Sequence, residues 1–165
     1  MPFAVEEFLP VNFGMLQSDP DRIESLKTAA VSGMAAGLTA AGILGIRRVL
    51  ALGIEEALQS ILSGLGGSSF GVGVAIAALS GSLFGITYRY AIRRDRNLQI
   101  NLGVILAFAL VRGLALVNVA AALSLGGWPF LTGVLESLLI FAMAGTALEI
   151  AFQLKWIAKV KGQAS

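Results

Sequence analysis

The chain has 165 residues, of which 56% are hydrophobic and 13% charged, and its net charge is only +2. That is more apolar surface than a soluble domain of this length can bury, so the solvent is read as lipid and the fold class as an all-α membrane protein. Cysteine and histidine are both absent, which excludes disulfides, thiolate metal sites, iron–sulfur clusters and Ser–His or Cys–His catalysis, and removes the usual axial ligand of haem or chlorophyll.

Residues 1–27 read as an N-terminal segment ahead of the membrane domain. Glu6 and Glu7 stand where a secretory signal needs positive charge, so no cleavable signal is expected. Ser18, Asp19 and Pro20 make a cap-then-proline helix start, with Asp19 as the N-cap. Residues 28–165 read as one four-helix transmembrane domain. Crossing ~30 Å of hydrocarbon takes about 20 apolar residues, and runs of that length occur at 28–46, 68–92, 98–125 and 130–154.

In the first two spans, small residues recur every four positions: Gly33, Gly37, Ala41 and Gly45, then Gly73, Ala77, Gly81 and Gly85. Helices in lipid associate by close backbone approach, which such ladders permit, so a glycine-zipper pairing of these two spans is expected. Between them, over 47–65, Leu50, Ile54, Leu58, Ile61 and Leu65 recur at three and four, with Glu55, Glu56 and Gln59 on other faces. This predicts one amphipathic helix lying along the interface, either covering the bundle or docking a partner.

The second and third spans are joined through Arg93, Arg94, Asp95, Arg96 and Asn97. Placing that loop inside collects Arg22, Lys27, Arg89, Arg93, Arg94, Arg96, Lys155, Lys159 and Lys161 on the cytoplasmic or stromal side, against Arg47 and Arg48 opposite. Both termini are then inside. Tyr88, Arg89, Tyr90, Arg93, Arg94, Arg96 and Trp156 read as inner-side anchors at the lipid headgroups, while Trp128 and Phe130 mark the outer boundary.

Arg112 lies in the middle of the third apolar run, where a guanidinium costs at least ~2.5 kcal/mol and needs a partner or a task. Gly126, Gly127, Trp128 and Pro129 read as a tight turn, which makes the third and fourth spans an antiparallel hairpin. With the turn there, Arg112 is level with Met143, and Glu149 lies roughly 9 Å further in, its side chain leaning toward the arginine. An Arg112–Glu149 charge pair is therefore expected, either fixing the register of the hairpin or marking an ion, proton or substrate path. Glu136, with Thr132 one turn before it, reads as an outer polar site.

The stretch Ile86-Thr87-Tyr88-Arg89-Tyr90-Ala91-Ile92-Arg93-Arg94-Asp95, followed by Asn97, Gly103, Ala107, Phe108 and Leu110-Val111-Arg112-Gly113-Leu114, resembles an uncharacterised family of multi-span integral membrane proteins of cyanobacteria and plastids. The resemblance implies a photosynthetic setting, plasma or thylakoid membrane, and supplies no activity. Phosphate loops, dinucleotide fingerprints and nucleophile elbows are absent from the sequence. The expectation is a non-catalytic accessory subunit or assembly factor of a membrane complex, without catalytic residue, cofactor or metal. The alternative is a small oligomeric transporter or channel with Arg112 and Glu149 on its pathway. Expected partners are the bilayer and a membrane protein or further copies of the chain, not nucleic acid.

Overall fold

The computed structural model describes residues 19–92, 98–122 and 128–158. Their regular structure is helical throughout: α1 (Asp19–Leu52), α2 (Ile54–Leu62), α3 (Gly64–Ile92), α4 (Leu98–Ala122) and α5 (Trp128–Gln153). Four of these are long and apolar enough to cross a membrane, over Asp21–Leu52, Gly67–Ile92, Leu98–Ala115 and Leu131–Gln153. Large apolar side chains such as Leu26, Leu38, Leu79, Val111 and Leu139 point outward from all four. Such a surface is compatible with an integral membrane protein, since lipid tails solvate leucine as well as another helix does.

α1 runs for 34 residues, or about 51 Å, well beyond the ~30 Å of a hydrocarbon core. The stretch from Lys27 to Arg47 matches that core by itself, so charged turns extend past it at both ends. Residues 47–52, expected in a separate amphipathic helix, instead continue α1. The break comes at Gly53, whose φ of 85° lies in the left-handed region that glycine enters at little cost. The nine residues of α2 follow, and α3 begins at Gly64. The single helix expected over 47–65 is thus three pieces. Only Ala57 of α2 is fully buried, whereas Ile54, Leu58 and Leu62 form an exposed apolar stripe at four-residue spacing.

α1 packs most extensively on α3, α5 on α4, and α1 on α5, while α3 makes lighter contacts with α4 and α5. The α1–α3 seam is close because side chains are missing from it. A methyl on Gly81 would collide with Ala36 Cβ and lie 2.9 Å from the Ser32 carbonyl oxygen, one on Gly85 would lie 2.6 Å from Ser32 Cβ, and one on Gly33 would meet Ser82 Oγ. Ser32 Oγ donates to the Gly81 carbonyl at 2.6 Å, sealing the approach. Toward the other end the seam opens. Gly37 and Ala77 are buried and Ala41 half-buried, Gly73 faces only the tip of Leu44, and a methyl on Gly45 would have no neighbour within 4 Å.

The centre is filled by aromatic rings from three helices. Phe84 of α3 lies 5.4 Å from Phe108 of α4 and 5.3 Å from Phe141 of α5, and Phe108 and Phe141 are 5.6 Å apart. These tilted and edge-on contacts suit the ring quadrupoles and add ~0.5–1.5 kcal/mol per pair to simple burial. The two ends of the described chain meet at one end of the bundle, where the Ala158 amide donates to Glu24 Oε2 at 2.8 Å.

Candidate functional site

The α4–α5 hairpin has a register that decides which polar groups meet. Gly113 stands against Val134, the ring of Phe108 against that of Phe141, and Ile105 against Gly145. Arg112 is therefore level with Glu136 and Ser137, about six residues from the expected Met143. The cause is the turn: α5 is already helical at Trp128, so Pro129 occupies the first helical turn, where its fixed φ and missing N–H are tolerated, and the chain reverses earlier. Gly126 and Gly127 lie outside the described residues. Glu149 consequently sits about 18 Å of helix away from the level of Arg112.

The expected Arg112–Glu149 pair is not formed. Arg112 Nη1 donates to Ser80 Oγ at 3.3 Å, across the α3–α4 seam. Ser80 directs its own hydrogen at the Ile76 carbonyl one turn back, so its oxygen is free to accept. Arg112 Nε is buried without a hydrogen-bond partner. Glu149 belongs to a different cluster. Its Oε1 accepts from the Tyr88 hydroxyl of α3 at 3.0 Å and from Asn101 Nδ2 of α4 at 3.4 Å, while Asn101 Oδ1 is buried without a partner.

Glu136 and Thr132 do not form a shared outer site. Glu136 Oε1 pairs with Arg47 Nη1 of α1 at 2.9 Å, and Thr132 Oγ1 donates to the Trp128 carbonyl of its own helix. Arg48, the next residue along α1, ties three helices. Its Nη1 donates to Ser60 of α2 at 3.2 Å, its Nη2 to Ser69 of α3 at 3.0 Å, and its guanidinium lies over the Phe70 ring.

The inner-side anchors divide. Trp156 is exposed, as an interfacial aromatic should be, and Tyr90 is partly exposed with its hydroxyl 3.2 Å from Ser25 Oγ. Arg93, Arg94 and Arg96 lie outside the described residues. Tyr88 and Arg89 are not surface anchors: both are buried, Arg89 at 2% exposure. The Arg89 guanidinium donates through Nη1 to Ser25 Oγ at 2.6 Å and to the Asp21 carbonyl at 3.1 Å, through Nη2 to Asp21 Oδ1 at 3.5 Å, and through Nε to the Ala158 carbonyl at 3.1 Å. Five donors in a rigid fork let one side chain serve two helix ends and the segment after α5, which an ammonium does less well. A basic residue between two tyrosines at a span end looks the same in sequence whether it reaches lipid or turns inward. Its partners lie 64 to 69 positions away.

Among the described residues, no three His, Cys, Asp or Glu side chains converge in a way that would hold a metal. The protein is a helical bundle in which four helices have membrane-spanning length and apolarity. Comparison with family models, with curated proteins and with solved structures finds no match for the chain.

Proposed function

We propose that this is a non-catalytic integral membrane protein serving as an accessory subunit or assembly factor of a larger membrane complex. The observation that carries the reading is what fills the bundle: Phe84, Phe108 and Phe141 meet at its centre. The ionic contacts Arg47–Glu136 and Arg89–Asp21 join one helix to another, a use of charge that favours a fixed scaffold. The exposed stripe Ile54, Leu58 and Leu62 on α2 supplies an apolar face of the kind that lies on a membrane interface or docks a partner. The excess of Arg and Lys around the bundle end that holds Asp21 and Ala158 supports both termini lying on the cytoplasmic or stromal side. The resemblance over residues 86–114 supports a photosynthetic membrane.

The test is purification in mild detergent from the native membrane, followed by native electrophoresis and mass spectrometry of what co-migrates. Stable migration with a large complex supports the accessory role. A discrete homo-oligomer without other subunits refutes it.

A second reading, a small oligomeric transporter, draws on Arg112 alone, because a guanidinium at membrane depth whose one hydrogen bond goes to a hydroxyl is poorly compensated. Solute flux in reconstituted vesicles that is lost in Arg112→Gln is its test.

A further inference from the structure

Two hollows on the outside of the bundle meet at Ala30. The first, of about 370 Å³, lies between α1 and the segment after α5 and is lined by Lys27, Ala30, Val31, Trp156 and Ile157. The second, of about 480 Å³, follows the α1–α3 seam away from Ala30. Its floor is Gly33 and Gly37, both buried, and its rims are Met34 and Leu38 of α1 and Val74 and Ala78 of α3. Ser82, the one polar side chain along this second hollow, spends its hydroxyl hydrogen on the Ala78 carbonyl at 3.0 Å. The groove beyond Ala30 therefore offers an occupant carbon and no free donor.

Shape and charge select that occupant. Helical rise places Leu38 about 16 Å from Lys27 along α1, close to half of the ~30 Å hydrocarbon core. The groove thus runs one leaflet deep, from a mouth with a cation and an indole to an apolar far end. A void in it forfeits dispersion contacts, and its lining gives water nothing to bond. A second helix seated there would cover Lys27, whose side chain is 51% exposed and gives only one of its three donors to Glu24. The turn after α5 adds an independent sign. The Lys155 amide donates to the Phe152 carbonyl and the Trp156 amide to the Ala151 carbonyl, the two bonds of a Schellman ending. Its left-handed position, where glycine is usual, holds Lys155 at φ 56°. The apolar side chain after such an ending often folds back on its helix, but Trp156 is 73% exposed and lines the mouth. Lys155 is exposed and joins no ion pair among the described residues. Strain is thus kept where it sets a second ammonium directly before the indole.

We infer that this groove is a binding site for one anionic phospholipid. An acyl chain lies along Gly33 and Gly37 between the rims, and the headgroup phosphate sits at the mouth, served by Lys27, Lys155 and the indole N–H of Trp156. Two cations against the single carboxylate of Glu24 leave the mouth net positive, which favours an anionic headgroup over a zwitterionic one. A bonded headgroup raises the local concentration of its own chain over the groove, and this separates a held lipid from those that pass. The inference rests on the protein being an integral membrane protein, and on neither the accessory nor the transport role.

The experiment is native mass spectrometry of the full-length protein released from nanodiscs that hold equal amounts of phosphatidylglycerol and phosphatidylcholine. Wild type should carry one phosphatidylglycerol about fivefold more often than one phosphatidylcholine, as one net positive charge implies. Ala30→Phe, at an exposed position, fills the junction of the two hollows and should lose the lipid, whereas Leu139→Phe on the exposed face of α5 should keep it. Lys155→Gly relieves the left-handed backbone, so its melting temperature should rise while its preference for phosphatidylglycerol disappears. A residue serving structure alone would not divide those two readings. Equal occupancy by the two lipids in wild type overturns the inference, and so does equal retention by Ala30→Phe and Leu139→Phe. A lipid-free dimer that Ala30→Phe breaks also overturns it, by seating a second copy in the groove. If Ala30→Phe fails to fold, the lipid ratios of wild type and Lys155→Gly still decide. A chain that carbonate washing strips from membranes refutes the membrane reading itself, whereas a membrane-embedded chain released without lipid refutes only the lipid site.

Discussion

Arg47 of α1 holds Glu136 of α5 at 2.9 Å, and the two partners differ in how far they are covered: the arginine side chain is 56% exposed and the glutamate 19%. The pair is therefore asymmetric in what its loss leaves behind. Arg47→Gln leaves a largely covered carboxylate without its cation, at an expected cost of about 1–3 kcal/mol. Glu136→Gln leaves a guanidinium that water or headgroups can solvate, and should cost less than about 1 kcal/mol. Reversible unfolding in detergent checks the order, and a double-mutant cycle with both changes should recover part of the Arg47→Gln loss.

The α1–α3 seam predicts opposite outcomes for glycines that look alike in sequence. Gly81→Ala places a methyl against the Ser32 carbonyl and Ala36 and should destabilise the bundle by about 1–3 kcal/mol, with Gly81→Leu worse. Gly45→Ala and Gly103→Ala enter open space and should be neutral or slightly stabilising, since alanine is the better helix former. Melting temperatures of the three alanine variants in one detergent decide it. Equal losses at all three positions would refute the packing argument.

Arg89→Leu removes four hydrogen bonds from a buried position and should cost roughly 3–5 kcal/mol. Asp21→Asn should cost far less, because Asp21 is half exposed and the arginine keeps its two carbonyls and Ser25. Arg89→Lys should rescue only part of the loss, for want of the planar fork. Protection of the Ala158 amide in hydrogen exchange follows the same order and reports the clasp directly.

Arg112 is predicted to be dispensable for stability. Its one bond is to a hydroxyl and its Nε has no partner, so Arg112→Leu should leave the isolated bundle as stable as wild type or raise its stability by about 1 kcal/mol or more. A loss of several kcal/mol on that change would make Arg112 a structural residue. Unchanged or higher stability together with loss of a co-purifying subunit, or of solute flux, would assign it a task.

The long helices are legible in the sequence because length and apolarity suffice to define a span: α3 and α4 start within four residues of their expected positions, and α1 starts at Asp19, the residue expected as its cap. α1 does pack on α3, but the four-residue ladder marks the contact only in part: Gly33, Gly81 and Gly85 lie where another backbone approaches, whereas Gly45 faces open space. Partners across the bundle are not legible. Moving Pro129 from the turn into the first helical turn goes with an α4–α5 register shifted by about six residues, and the polar pairs between these two helices shift with it. Glu149 is therefore level with Asn101 of α4 rather than with Arg112. Arg89 misleads because its neighbours in sequence, Tyr88 and Tyr90, are those of an interfacial anchor, whereas its acceptors come from the two ends of the described chain. The end of α1 misleads because Arg47 and Arg48 look like the limit of a span, while Gly53 is the residue that allows the backbone to leave the helix.

The clasp of Arg89 and Glu24 with Ala158 also sets an order of events during synthesis. Helices α1 and α3 are made first and can pair as soon as both are in the membrane, which satisfies Nη1 and Nη2 of Arg89 from Asp21 and Ser25, but its Nε and the second oxygen of Glu24 stay unmatched at that stage. They are matched only when residue 158 has emerged from the ribosome, after α4 and α5. A chain ending between α3 and α5 thus carries a buried guanidinium that lacks one of its acceptors, so the closure of this end of the bundle depends on residue 158.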